Sequence, residues 1–159
     1  MKFYNKAITL QKLRCKRASI PKFVIINTKD FFKKRQITLK KIIRFFDKKD
    51  FLIVRSSSLE EDTITTSNAG KFESVPMVKN DEIALEVAIN KVINSYDNKK
   101  NSIIFVQKMI SDCDFSGVIT TCNLSNQAPY YLINYFDGKD TAAATSGKAN
   151  TKNYFQFKF

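Results

Sequence analysis

The stretch FLIVRSSSLEEDTITTSNAGKFESV, Phe51 to Val75, decides how the chain is read. It opens on an apolar run with the character of a buried strand and reaches an arginine where that run ends. Three serines, three acids and an Ala-Gly pair follow before a second apolar run begins. An arginine fixed at a strand end is a positioned charge, and its guanidinium can grip phosphate oxygens through a fork of donors. Ser56, Ser57 and Ser58 add hydroxyls, and Glu60, Glu61 and Asp62 could pair with Arg55, hold the loop or assist a metal. Ala69-Gly70 lets backbone approach a ligand closely, with Lys71 beside it. Phosphoryl transfer depends mostly on positioning and charge stabilisation, so a loop of donors suits it. The same residues also fit an ordinary surface loop in which Arg55 makes a salt bridge.

The flanking sequence predicts an α+β chain. Ala7–Leu13 is compatible with a short helix, and Ile20–Asn27 reads as a buried strand after Pro21. Thr28 is placed to cap a short helix through Lys34, and Leu39, Ile42, Ile43 and Phe46 form a helical stripe. Phe51–Val54 is the next strand. Phe72–Val78 follows the loop, with Pro76 marking an edge position. Asp81 caps a helix to Tyr96 whose one face is Leu85, Ala88, Ile89, Val92 and Tyr96. Ser102–Ile110 and Phe115–Cys122 are expected to pair as a hairpin around Ser111–Asp114. Tyr130–Tyr135 and the alternating C-terminal aromatics add strands. Helices are expected to be few, and the chain is expected to form one domain without an internal linker or repeat.

Composition narrows the chemistry. The 159 residues suffice for a sizeable core. The net charge of +12 favours anionic partners, although the basic clusters at 33–35, 40–41, 48–49 and 99–100 read first as solvated faces. No nucleic-acid-binding signature accompanies them, so nucleic acid is an unlikely partner. No apolar run is long enough to span a membrane, and the basic N-terminus lacks the features of a secretory signal. Cys15, Cys113 and Cys122 fit no zinc or CxxC spacing, and a cytoplasmic, reduced setting is expected. The chain contains no histidine, which excludes a Ser-His or Cys-His pair, a histidine ligand and a histidine phosphocarrier within it. Neither GxGxxG nor GxxxxGK[ST] occurs.

The run VRSSSLEEDTITTSNAGKFESV is similar to the VRSSA-x-x-ED-x-x-x-x-SFAG signature of the phosphoenolpyruvate synthase and pyruvate phosphate dikinase family. Four further blocks resemble that family in the right order. They are NKAITLQKL (5–13), SIPKFVIIN (19–27), IFVQKMISDCDFSGVITTCN (104–123) and LINYFDGKDTAAATSGKANTKNYF (132–155). The resemblance implies the N-terminal part of an ATP-grasp domain over residues 1–159: a first lobe, the start of a second, and ATP between them. Its C-terminal part, a substrate domain and a phosphohistidine domain would lie outside this chain. It implies ATP with Mg2+ as cofactors, the metal ligands lying downstream.

On that resemblance, Lys6 matches the lysine that contacts nucleotide phosphates, and Arg55 the phosphate-contacting, catalytic arginine. Asn68, Ala69 and Gly70 match the flexible lid, and Ser74 keeps the hydroxyl of a threonine that follows it. Gln107 and Met109, around Lys108, match the strand whose backbone receives adenine. Ser116-Gly117 reads as a feature of the fold. Tyr4-Asn5 stands where two glycines are usual and Asn68 where phenylalanine is, and the DGKDT segment lacks the family's glutamate, for which Asp137 or Asp140 could substitute. The parent activity implied is a dikinase-type phosphotransferase, with this chain alone inactive. Phosphate would pass through a histidine elsewhere to an acceptor such as pyruvate or the L-glutamine amide, the latter as in kinases of capsule biosynthesis. The rival readings are a non-catalytic nucleotide- or partner-binding remnant and a basic nucleic-acid-binding protein.

Overall fold

A computed structural model describes residues 5–13, 18–57, 73–97, 99, 102–123, 125–141, 143–146 and 150–158. The chain is mixed α and β with open sheets, and helix and strand are present in comparable amounts. It divides into two compact units, Met1–Met109 and Ile110–Phe159. The second unit holds four lysines and four aspartates and no other charged side chain, so the net charge of +12 resides in the first.

The first unit contains α1 (Lys6–Lys12), β1 (Phe23–Asn27), α2 (Thr28–Lys33), α3 (Arg35–Phe45), β2 (Phe51–Ser56), β3 (Ser74–Lys79), α4 (Glu82–Asn94) and β4 (Ile103–Lys108). Its four strands form one antiparallel sheet in the order β1-β4-β2-β3. Period-two alternation in β2 turns Leu52 and Val54 to one face and Ile53 and Arg55 to the other. The first face joins Ile104, Val106, Val78 and Ile26 in a core completed by the helices. Phe31 enters from α2, Leu39 and Ile42 from α3, and Leu85, Ala88, Ile89 and Val92 from α4. Each fully buried aliphatic or aromatic side chain contributes about 1.5–3 kcal/mol of transfer free energy. Asp81 caps α4 by accepting the Ala84 N–H at 2.8 Å.

Thr28 does not cap α2. Asn27 does, accepting the Lys29 N–H at 2.9 Å. Thr28 is buried, and its hydroxyl exchanges hydrogen bonds with the backbone of Ser102, which removes it from capping. Pro76 does lie on an edge strand, β3. A bulge there sets Pro76 and Met77 against Ile53, with Met77 at φ 57°, which absorbs the residue that has no N–H to pair.

The expected hairpin between residues 102–110 and 115–122 does not form. Ile104, Phe105, Val106 and Gln107 are buried in succession, which marks β4 as central, and its two edges are taken by β1 and β2. The later segment, β5 (Phe115–Thr120), belongs instead to the second unit. There it pairs with β6 (Tyr130–Asp137), which pairs with β7 (Lys152–Phe157), all antiparallel, with the short α5 (Ala143–Ser146) packed on β5. Gly117 lies opposite Tyr135, where a Cβ would meet the Asn134 carbonyl oxygen at 2.7 Å, and the Ser116 hydroxyl donates to the Asp140 carbonyl.

Candidate functional site

Three of the expected contact residues, Arg55, Ser74 and Gln107, lie on the face of the first sheet that points away from the three core helices. Arg55 pairs with Phe105 on β4 and with Ser74 on β3. Paired residues on antiparallel strands share a face, so Arg55 and Ser74 are side by side. Gln107, two residues along β4 from Phe105, shares that face as well, opposite Ile53 and Phe23. Three expected contact residues from three strands therefore lie on one surface.

Arg55 is the penultimate residue of β2, at the strand's end, and the strand runs two residues past Val54. Its guanidinium carbon lies 5.5 Å from the ring centroid of Phe105, within reach of a cation–π attraction. Phe105 is fully buried, and Phe23 meets it edge-on at 6.1 Å. The arginine is half-buried over a rigid aromatic floor, and Ser74 beside it is exposed.

Lys6 is the first residue of α1, whose cap is the side chain of Asn5, bonded to the Ile8 N–H at 2.9 Å. Asn5 thus does the work of a helix cap where the resembling family has glycine. The next residue, Ala7, donates its N–H to the hydroxyl of Ser57 at 2.8 Å. This joins the start of α1 to the chain just past β2, fifty residues away in sequence. The Ser57 N–H in turn is held by the Tyr96 hydroxyl and the Ile103 carbonyl, at 2.8 and 3.0 Å. Sequence reasoning passed over Ser57 as one hydroxyl among three.

Gln107 is buried and its amide nitrogen reaches the Pro21 carbonyl only at 3.5 Å, a long hydrogen bond. The backbone N–H of Met109 donates to Phe51 at 2.8 Å and that of Lys108 to Lys22 at 2.9 Å. The Lys108 and Met109 amides, which the resemblance matched to the adenine-receiving strand, are thus both used by backbone carbonyls of the first unit. Lys108 and Asp50 form an ion pair at 2.7 Å. The hydrogen bond between them holds the Asp50 carboxyl below its ordinary range and lifts the Lys108 ammonium above its own.

Asn68, Ala69 and Gly70 lie outside the described residues, as do Glu60, Glu61 and Asp62. Among the described residues no three of Asp, Glu, Cys or His are grouped as metal ligands. Cys113 and Cys122 are free thiols, and no described helix is long and apolar enough to cross a membrane.

No protein-family model matches the chain, and a search of curated proteins finds no match.

Proposed function

We propose that this chain is the ATP-binding portion of a dikinase-type phosphotransferase with an ATP-grasp architecture. The observation that supports this reading best is the shared face of Arg55, Ser74 and Gln107, contributed by three neighbouring strands. On this reading Arg55 and Lys6 hold the nucleotide phosphates, and Ser74 adds a hydroxyl donor. The Gln107–Met109 end of β4 lies beside the base. The forked guanidinium fits this role because its donors match phosphate geometry and its charge is permanent.

The described residues do not by themselves fit Mg2+, since they offer no carboxylate cluster. Mg2+ keeps waters and binds readily to substrate phosphates, so it would arrive with ATP. The phosphoryl carrier in such chemistry is a histidine, and this chain has none. Carrier and acceptor, whether pyruvate or an amide such as that of L-glutamine, belong to parts of the parent protein outside this chain.

Calorimetric titration with Mg-ATP, of the parent and of Arg55→Ala, tests the reading. Binding by the parent that is lost in the variant, with both folded, is the expected result. Equal binding by the two would remove Arg55 from the site.

A further inference from the structure

We infer that Ser57 is a positioning residue of the nucleotide site: its hydroxyl fixes the start of α1, and with it Lys6, against the end of β2, which carries Arg55. The inference rests on the nucleotide reading above. A seven-residue helix is marginal alone, because nucleation is costly and few bonds repay it. What fixes α1 must therefore be tertiary. Two features do so. Ala7 is fully buried as α1 packs on β4, and the Ala7 N–H, one of the helix's unsatisfied first-turn donors, is accepted by Ser57.

Ser57 is itself 1% exposed and has little freedom. Its N–H is shared between the Tyr96 hydroxyl and the Ile103 carbonyl, and the Tyr96 hydroxyl donates to that same carbonyl at 2.6 Å. Tyr96 belongs to the main core, so the serine hydroxyl is set by the core and passes that registration to α1. Lys6 is one residue from the donor of this bond, and Arg55 is two residues from its acceptor. Two cations that must grip one polyphosphate are thereby referenced to a single buried hydrogen bond.

The experiment measures Mg-ATP affinity by calorimetry in the parent, Ser57→Ala, Ser57→Thr, Lys6→Met and the double variant Ser57→Ala/Lys6→Met. Thermal unfolding and amide exchange accompany it. Ser57→Ala is expected to bind about tenfold more weakly, from the loss of one buried hydrogen bond, while exchange at Ala7 accelerates. Ser57→Thr, which keeps the hydroxyl, is expected to bind as the parent does. In the Lys6→Met background the alanine change should cost nothing more, because Ser57 acts through Lys6. A merely structural serine would cost the same in both backgrounds, and that result overturns the inference. So does a Ser57→Ala protein with unchanged exchange at Ala7. If Ser57→Ala does not fold, a Ser57→Thr protein that folds but binds as weakly as Lys6→Met overturns it equally. A folded parent that binds no Mg-ATP overturns the nucleotide reading itself, whereas the other outcomes leave that reading standing.

Discussion

Arg55 and Ser74 face each other across β2 and β3, on the side of the sheet away from the three core helices. One is a permanent cation backed by the Phe105 ring, and the other is an exposed hydroxyl. Their adjacency separates the two things an arginine can supply, charge and a planar fork. Arg55→Lys keeps the charge and loses the fork and most of the stacking on Phe105. We expect this variant to bind Mg-ATP about 10- to 150-fold more weakly than the parent, through the loss of one charge-assisted hydrogen bond of about 1.5–3 kcal/mol. Lysine that binds as arginine does would show that only charge matters at this position.

Ser74→Glu places a carboxylate directly opposite the guanidinium. A cross-strand pair of opposite charge contributes about 0.2–1 kcal/mol, so the urea midpoint should hold or rise slightly. The same carboxylate neutralises Arg55 and repels phosphate, so Mg-ATP binding should be lost. Stability and binding then move in opposite directions. A variant that loses both, or neither, would mean that Ser74 is not beside the ligand.

Much of this arrangement was legible in the sequence. The periods of two and 3.6 placed the strands and the first four helices to within a few residues, because one-sided burial leaves its repeat in the residues themselves, whereas the short α5 carries too few residues to show a period. The stripe Leu85, Ala88, Ile89, Val92 and Tyr96 is buried as the spacing predicted. Pairing was less legible, since it depends on contacts between distant segments. IIFVQ at 103–107 has the same apolar character whether it lies in a hairpin or between β1 and β2. The division after Met109 was hidden too: it falls between two apolar residues, Met109 and Ile110, with no Gly- or Pro-rich linker to mark it. The Ala7–Ser57 bond left no local signal, because a serine that accepts from a residue fifty positions away looks like its neighbours.

Asp50 and Lys108 give this end of the first sheet a pH dependence whose sign is fixed. Asp50 has a depressed folded value, so its contribution is full above the ordinary carboxylate value of about 3.9 and is lost as pH falls through the lower folded value. Lys108 is raised, so its contribution is full below the ordinary ammonium value of about 10.4 and is lost as pH rises past the folded value. The pair is therefore constant across neutral pH and fails at both extremes. Urea midpoints of the parent and Asp50→Asn should differ at pH 7 and converge toward pH 3. The gap should be modest, since the Asp50 side chain is 9% exposed but its Lys108 partner is about half-exposed and screened by solvent. A gap that persists unchanged at pH 3 would assign the difference to something other than charge.

Asn80, just past the opposite end of β3 from Ser74, closes the end of α3. Its amide nitrogen donates to the carbonyls of Ile43, Phe46 and Asp47, each at 3.2 Å. The last carbonyls of a helix lack intrahelical partners, and here one buried side chain gathers them. Asn80→Ala removes this donor from the Ile43 and Phe46 carbonyls, at a cost of about 1–3 kcal/mol, while the Asp47 carbonyl keeps the Asp50 N–H at 2.9 Å. For a unit of about 100 residues each kcal/mol lowers Tm by about 4–8 °C. Asn80→Asp has nearly the same shape but turns a carboxylate toward three carbonyl oxygens, so it should melt lower than the alanine variant at pH 7. Lowering the pH toward the carboxyl's own titration should recover part of the loss, because a protonated acid can again donate. An aspartate variant that melts above the alanine variant at pH 7 would refute the donor role of Asn80.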